Sequence, residues 1–250
     1  MKLGALLGPV DPANPNGLAD QARQLEGEGF DSLWSAQATG RGFMMTDPFI
    51  ALTAAAVATD KVELGTGILQ LSLYEPVDVA LKAFSLMQLA GGRLLLGVGA
   101  GSTEVDHQIH RSDFSARFRT FNEKLALLRG WFTDGEQEGR SISPWSSVAG
   151  GPKLGYGTWG NGVLRAAREF DFWIASGMHR NADDLEKTIP GYREAGGQRA
   201  IVSTILVSGE TDLGELGDML ARYAGMGFDD AVVMFMPGAP DPATIRKLVN

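Results

Sequence analysis

Residues 62–100 read "VELGTGILQLSLYEPVDVALKAFSLMQLAGGRLLLGVGA". Two apolar runs, 62–69 and 93–100, have strand composition, and the segment between them, 76–90, has the period of an amphipathic helix. Glu75 before Pro76 marks the helix start, because proline suits a first helical turn. Both apolar runs are nearly continuous rather than alternating, which fits strands covered on both faces, as in a parallel sheet.

The same unit recurs along the chain. Further strands are expected at 3–7, 30–34, 153–158, 171–176, 200–207 and 230–236. Helices are expected at about 17–28, 47–59, 115–132, 160–169, 181–196, 212–226 and 241–249, with Asp47 before Pro48 and Asp241 before Pro242 as start signals. Eight strand–helix pairs in 250 residues close most economically as a (β/α)8 TIM barrel, an α/β fold in one domain spanning 1–250. A doubly wound open sheet has the same periodicity. Residues 133–152 are polar and Gly/Ser-rich and read as a loop or lid between the fourth and fifth units.

Composition narrows the function classes. Lys and Arg number 22 against 30 Asp and Glu, a formal charge of −8, which argues against nucleic acid or an anionic membrane as the main partner. Cysteine is absent, which removes disulfides, thiolate catalysis and Cys-ligated metals. The first apolar run is short and ends at Pro9 and Asp11, without the features of a secretory leader, and no run reaches the roughly 20 residues of a membrane helix, so a cytoplasmic protein is expected.

A barrel of this class carries its active site at the C-terminal strand ends. No Lys, His or carboxylate stands at those ends, so Schiff-base and carboxylate-driven chemistry lack their usual groups. Glycine and hydroxyl residues stand there instead, a surface suited to a flat aromatic cofactor that brings its own reactivity. Three glycine clusters share that reading: "GTGILQL" (65–71), "GVGAGST" (97–103) and "GYGTWGNG" (155–162). The last two precede helices and offer backbone N–H groups to an anion, although close helix–strand packing explains any single cluster equally well.

"GFDSLW" (29–34), "DPFIALTAAAVATDKVELGTGIL" (47–69), "PVDVALKAFSLMQLAGGRLLLGVGAG" (76–101) and "GNGVLRAAREFDFWIA" (160–175) together resemble the luciferase-like flavin oxidoreductases, the family of bacterial luciferase and the F420-dependent reductases. The resemblance implies a barrel that binds reduced FMN, or the deazaflavin F420, at its top face. It implies a non-prolyl cis peptide at Gly67–Ile68 under the flavin ring, with Thr66 and Gln70 beside it. It places the remaining cofactor contacts at Gly99, Gly101 and Ser102 and at Gly157, Thr158, Trp159, Gly160 and Asn161, the phosphate resting on the loop 155–161. Where bacterial luciferase carries a reactive-site histidine this chain has "WSAQATGRGF", and Gln37 is the nearest polar candidate for a catalytic role. The family's phosphate-binding arginine falls near Ala100, leaving backbone N–H groups and Ser102, Thr158 or Asn161 for that task. A homodimer is expected, through the small residues of "ALTAAAVA" (51–58), which otherwise pack on the barrel.

Other residues have simpler readings. His107 and His110 are spaced i, i+3 like a ligand pair, but no third ligand accompanies them, and a surface or lid position is expected. His179, beside Arg180, reads as a solvated loop residue. Trp34, Trp159, Trp173, Phe235 and Met236 could wall an apolar substrate pocket, and core packing explains Trp173 and Phe235 as well. The leading expectation is an FMN-dependent oxidoreductase or monooxygenase for a small apolar substrate, supplied with reduced flavin by a reductase. An F420-dependent hydride transferase and a non-catalytic flavin binder are the alternatives, and no metal is expected.

Overall fold

A computed structural model describes residues 1–8, 13–14 and 16–249. Pro9 and Asp11, at the end of the first apolar run, lie outside the described residues. The elements run β1 (Lys2–Leu6), α1 (Gly17–Gly27), β2 (Ser32–Ser35), α2 (Pro48–Ala58), β3 (Glu63–Thr66), β4 (Leu69–Gln70), a 3-10 turn (Leu71–Leu73), α3 (Pro76–Ala90), β5 (Leu94–Gly99), α4 (Glu104–Ile109) and α5 (Arg117–Asp134). They continue with β6 (Glu136–Gln137), β7 (Arg140–Ser141), β8 (Lys153–Gly157), α6 (Gly162–Glu169), β9 (Phe172–Ser176), α7 (Ala182–Glu194), β10 (Ala200–Val207), α8 (Leu213–Gly225), β11 (Asp230–Phe235) and α9 (Pro242–Arg246).

Side-chain caps set several helix starts. Asp47 accepts from the N–H groups of Phe49 and Ile50, Asp212 from Gly214 and Glu215, and Asp241 from Ala243, each occupying donors that a helix end leaves free. All pairings in the main sheet are parallel, and β3 pairs with both β2 and β5, so the sheet closes into an eight-stave barrel in which β3 and β4 form one interrupted stave. This is the expected (β/α)8 architecture.

Two apolar layers result. The larger lies between staves and helices; the smaller fills the barrel with Leu6, Trp34, Leu95, Phe172, Ile174, Ile201 and Val232. Strand glycines make room for the two interior aromatics. A Cβ on Gly65 would lie 2.2 Å from the Trp34 indole, and one on Gly155 would lie 1.9 Å from the Phe172 ring. Gly65 interrupts its strand because Trp34 occupies the space a side chain would need. Trp34 is therefore a barrel-core residue and not the wall of a substrate pocket, and Trp173 is likewise fully buried.

Of the loop and the lid expected at residues 133–152, the structure has the loop. Residues 133–152 do not form a lid over the top face. They follow a helix and precede a strand, which puts them at the N-terminal end of the barrel, where they hold the β6–β7 hairpin and tie Gly150 N–H to the Phe132 carbonyl. The hairpin is built on a two-residue turn with Glu138 and Gly139 both at positive φ, the form that matches strand twist. The alanines of α2 also have a settled place: Ala51, Ala55 and Ala56 are buried against the barrel, while Ile50 and Val57 are exposed.

Candidate functional site at the C-terminal barrel mouth

Ala36, Ile68 and Met234 pack on the interior cluster from above and give the mouth of the barrel an apolar floor. Ile68 reaches this position through a bulge. Gly65 pairs with Leu95 and Leu69 with Val98, so four steps along the β3–β4 stave pass three along β5. The extra residue takes Gly67 and Ile68 out of the pairing with β5, while Gly67 N–H still donates to the Ser35 carbonyl (2.7 Å), and the stave bends.

The Gly67–Ile68 peptide is trans, and no described residue has a cis bond, so the expected cis peptide is overturned. The inserted residue bends the stave without it. Gly67 is also less constrained than expected: its φ is not left-handed, and a Cβ there would lie 3.4 Å from Ala36 and Leu6, an ordinary contact. The glycines that are constrained face Ile68 itself. A Cβ on Gly157 would lie 2.2 Å from Ile68 Cδ1, and one on Gly99 would lie 2.8 Å from Ile68 Cγ2. Two glycines assigned to a cofactor thus accommodate an isoleucine, which becomes part of the surface a ligand would meet.

On one side of this floor lies a buried polar cluster. Gln37 Oε1 accepts from Gln70 N–H (2.8 Å), Gln70 Nε2 donates to Asp106 Oδ2 (2.6 Å), and Arg41 Nη2 donates to the same oxygen (2.8 Å). The β2–α2 loop, the bulged stave and α4 are joined through one carboxylate. Burial alone would raise the Asp106 pKa, but the bonds from Arg41 and Gln70 and the charge of Arg41 outweigh it and hold it below its ordinary value. Gly101, at φ +85, fits where a Cβ would lie 2.5 Å from Gln70 Oε1 and 2.8 Å from His107 Nε2. Gln70 Oε1, Asp106 Oδ1 and both ring nitrogens of His107 have no hydrogen-bond partner of good geometry among the described residues.

His107 is fully buried, edge-on to Phe114 with ring centroids 5.2 Å apart, which corrects the surface or lid position expected for it. Burial pushes its pKa below 6.5; the nearby Ala100 backbone opposes this without reversing it. Asp106 and His107 were missed as members of the site because α4 is only six residues long and its apolar period cannot be read over so short a span, and Arg41 because it stands in the irregular loop between β2 and α2. Thr66 points away, donating to the Gly97 carbonyl (2.8 Å), and Ser102 is exposed.

On the other side lies the turn from β8 into α6. Among the described residues the N–H groups of Trp159, Gly160 and Asn161 make no backbone hydrogen bond, and Asn161 caps nothing with its side chain. Thr158 lies over the helix start, its Oγ1 2.0 Å from where a Cβ on Gly162 would be, and its carbonyl accepts from Trp173 Nε1 (3.0 Å). The Arg180 guanidinium stacks 4.6 Å over Trp159. The expected contact residues thus form two groups, Gln37–Gln70–Gly101 and 157–161, bridged by Ile68. Two clefts, of about 710 and 440 Å3, open at the opposite end of the barrel, beside Arg199 and Asp230 and beside Arg129 and Asp171. Arg129 is paired there with Glu169, Arg199 with Asp230 and Glu63, and Asp229 with Arg193. Among the described residues no three His, Cys, Asp or Glu side chains are grouped to hold a metal ion.

The luciferase-like monooxygenase family model matches residues 4–233. The chain belongs to this family. Among the relatives of this luciferase-like chain are 4-hydroxyprotoasukamycin monooxygenase of Streptomyces nodosus subsp. asukaensis, 30% identical over 152 residues, and a putative coenzyme F420-dependent oxidoreductase of Mycobacterium tuberculosis, 35% identical over 129. Those matches take in 58% and 52% of the chain and 41% and 36% of the relatives, so the chain spans about two-fifths of the length of these curated proteins. Its fold is that of monooxygenase RslO1 from Streptomyces bottropensis, with a TM-score of 0.82 at 18% identity over 99% of this chain and 97% of that one. The coenzyme F420-dependent tetrahydromethanopterin reductase from Methanopyrus kandleri gives 0.75 at 17% identity over 99% and 96%. No described helix is long and apolar enough to cross a membrane.

Proposed function

We propose that this luciferase-like protein is an oxidoreductase of monooxygenase type, taking reduced FMN from a flavin reductase and acting on a small apolar organic substrate in the cytoplasm. The observation that carries this reading is the apolar floor of Ala36, Ile68 and Met234 over a closed barrel core, with the open N–H groups of 159–161 at its rim. The first suits a flat ring and the second a phosphate, whose charge the start of α6 favours. When bound, the reduced cofactor supplies the reducing equivalents. The residues of this chain bind the ring, hold its phosphate and keep water from the apolar floor. Gln37 contributes through its amide Nε2, because its Oε1 is occupied by Gln70 N–H.

F420 is the second reading. The buried carboxylate of the mouth, Asp106, is engaged by Arg41 and Gln70, and hydride passage requires no base. Titration of the protein with FMN, F420 and riboflavin separates the readings by which chromophore binds. Gly160→Val tests the phosphate assignment, since Gly160 sits at φ +61 with open space around it and a β-branched residue there distorts the turn. FMN binding is expected to weaken about tenfold or more with riboflavin unchanged, and equal losses overturn the assignment. Binding without turnover in the presence of a reductase would leave a flavin carrier. The exposed Ile50 and Val57 of α2 are proposed as part of a homodimer contact, to be checked by sedimentation at micromolar concentration.

A further inference from the structure

Four non-glycine residues have positive φ among those described: Arg111, Glu138, Ser143 and Thr204. The first three stand in turns and loops. Thr204, at φ +61, stands inside β10, and for a β-branched residue this conformation is a true outlier. The chain also slips register there. Val202 pairs with Ala231 and Ile205 with Val233, three steps on β10 against two on β11. Glycine would adopt this φ without strain, so the threonine side chain needs a reason to be present.

The bulge sits at the barrel mouth. Ser203 pairs with Ser176, the last residue of β9, and its carbonyl accepts from Gly177 N–H (2.7 Å). Ile201, two residues earlier, is a member of the interior cluster, so Ser203 stands on the same face one layer higher, where the register sets Ser203 and Thr204 opposite Val232 and one two-residue step below the Leu206–Met234 pair. Ser203 is buried, and its hydroxyl lies 3.3 Å from Thr204 Oγ1. Only one of the two hydroxyls donates in that contact, so the other proton is left to donate elsewhere. Neither hydroxyl has another side-chain partner among the described residues.

We propose that Ser203 and Thr204 form a hydroxyl pair that donates a hydrogen bond to a carbonyl oxygen on the edge of a planar heteroaromatic ring resting on the Ala36–Ile68–Met234 floor. The bulge turns the chain so that both hydroxyls reach the same point, and the strained backbone is retained for the side chain it carries. This rests on the proposed function, and its signature differs from that of the phosphate turn. A ring contact is common to FMN and riboflavin; a phosphate contact is not.

The test compares Thr204→Gly and Thr204→Ser with the unaltered protein, using FMN and riboflavin as probes and thermal unfolding as control. Thr204→Gly is expected to weaken both ligands by the same factor, about five- to tenfold, with a melting temperature equal to or above that of the unaltered protein. Thr204→Ser keeps the hydroxyl and is expected to bind nearly normally. Unchanged binding in Thr204→Gly, or a loss confined to FMN, overturns the proposal alone. A binding loss with a lowered melting temperature marks Thr204 as a packing residue and also overturns it. An unaltered protein that binds neither ligand overturns the proposed function and this proposal together.

Discussion

The two ends of the barrel use charge in opposite ways. At the N-terminal end Arg199 meets Asp230 through Nε and Nη2 (2.8 and 2.6 Å) and Glu63 through Nη1 and Nη2 (3.0 and 2.7 Å), while Lys2 adds a 3.1 Å contact to Glu63. Arg93 donates to the carbonyls of Ala56, Thr59, Val62 and Ala90. Polar groups there are matched to one another. At the C-terminal end Gln70 Oε1, Asp106 Oδ1 and the ring nitrogens of His107 are buried without good hydrogen-bond partners among the described residues, and Arg180 rests on the Trp159 ring. A matched network holds strands together, whereas unmatched groups keep capacity for something else, and in barrels of this class that division follows the direction of the strands.

The contrast breaks most sharply at Arg199. Its replacement by Met leaves Asp230 buried without its partner, a change that costs about 3–5 kcal/mol. Chemical denaturation should show that loss in full, with FMN affinity of the surviving folded fraction unaltered; a loss below about 1 kcal/mol would mean the network is not what secures this end. Gly65→Ala comes next. Its Cβ would meet the Trp34 indole at 2.2 Å, and overpacking of this kind costs about 1–3 kcal/mol. Gly67→Ala, in the same stave, has room and should stay within about 1 kcal/mol by the same denaturation measurement. Equal costs at the two glycines would refute the steric reading of Gly65.

Acid distinguishes the ends by where stability begins to fall. Burial lowers the His107 pKa from 6.5, so its contribution is complete above 6.5 and is lost as pH falls from there through the folded value. For Glu63 burial would raise the pKa from 4.5, but Arg199 and then Lys2 outweigh it. For Glu26 burial is likewise outweighed, by backbone N–H groups of Lys61, Val62 and Asp60. Both carboxylates contribute fully above 4.5 and lose that contribution as pH falls through their depressed folded values. The melting temperature should therefore decline in two stages, and His107→Gln should remove the stage that begins near 6.5 and leave the one near 4.5. A single stage in the unaltered protein would contradict this. A modest effect is expected at Gln37→Ala, which removes one acceptor from Gln70 N–H and should cost about 1 kcal/mol in stability by denaturation.

The strand and helix succession was legible because each element repeats its own period over several residues. Pro76–Ala90 coincides with the expected 76–90, and Ala200–Val207 with 200–207. The short helix α4 and the β6–β7 hairpin were not, since they lie outside the strand–helix repeat and each contains too little period to register. Within the candidate site, Gln70 and the turn at 157–161 were singled out from glycine and polar residues at strand ends. Asp106, His107, Arg41, Ser203 and Thr204 were not, because their meeting depends on two bulges that no local pattern announces.

By itself the sequence determined the strand–helix succession, the parallel direction of the strands and therefore the end that carries the site, because hydrophobic period and strand–helix order act over short spans of chain; closure of the sheet came with the pairing of β3 to β5. Only the tertiary structure decided what each glycine is for. Gly65 yields to Trp34, Gly99 and Gly157 to Ile68, and Gly101 to Gln70 and His107. A glycine records that space is needed; the neighbour that fills it comes from another part of the chain, and close packing across the barrel selects it.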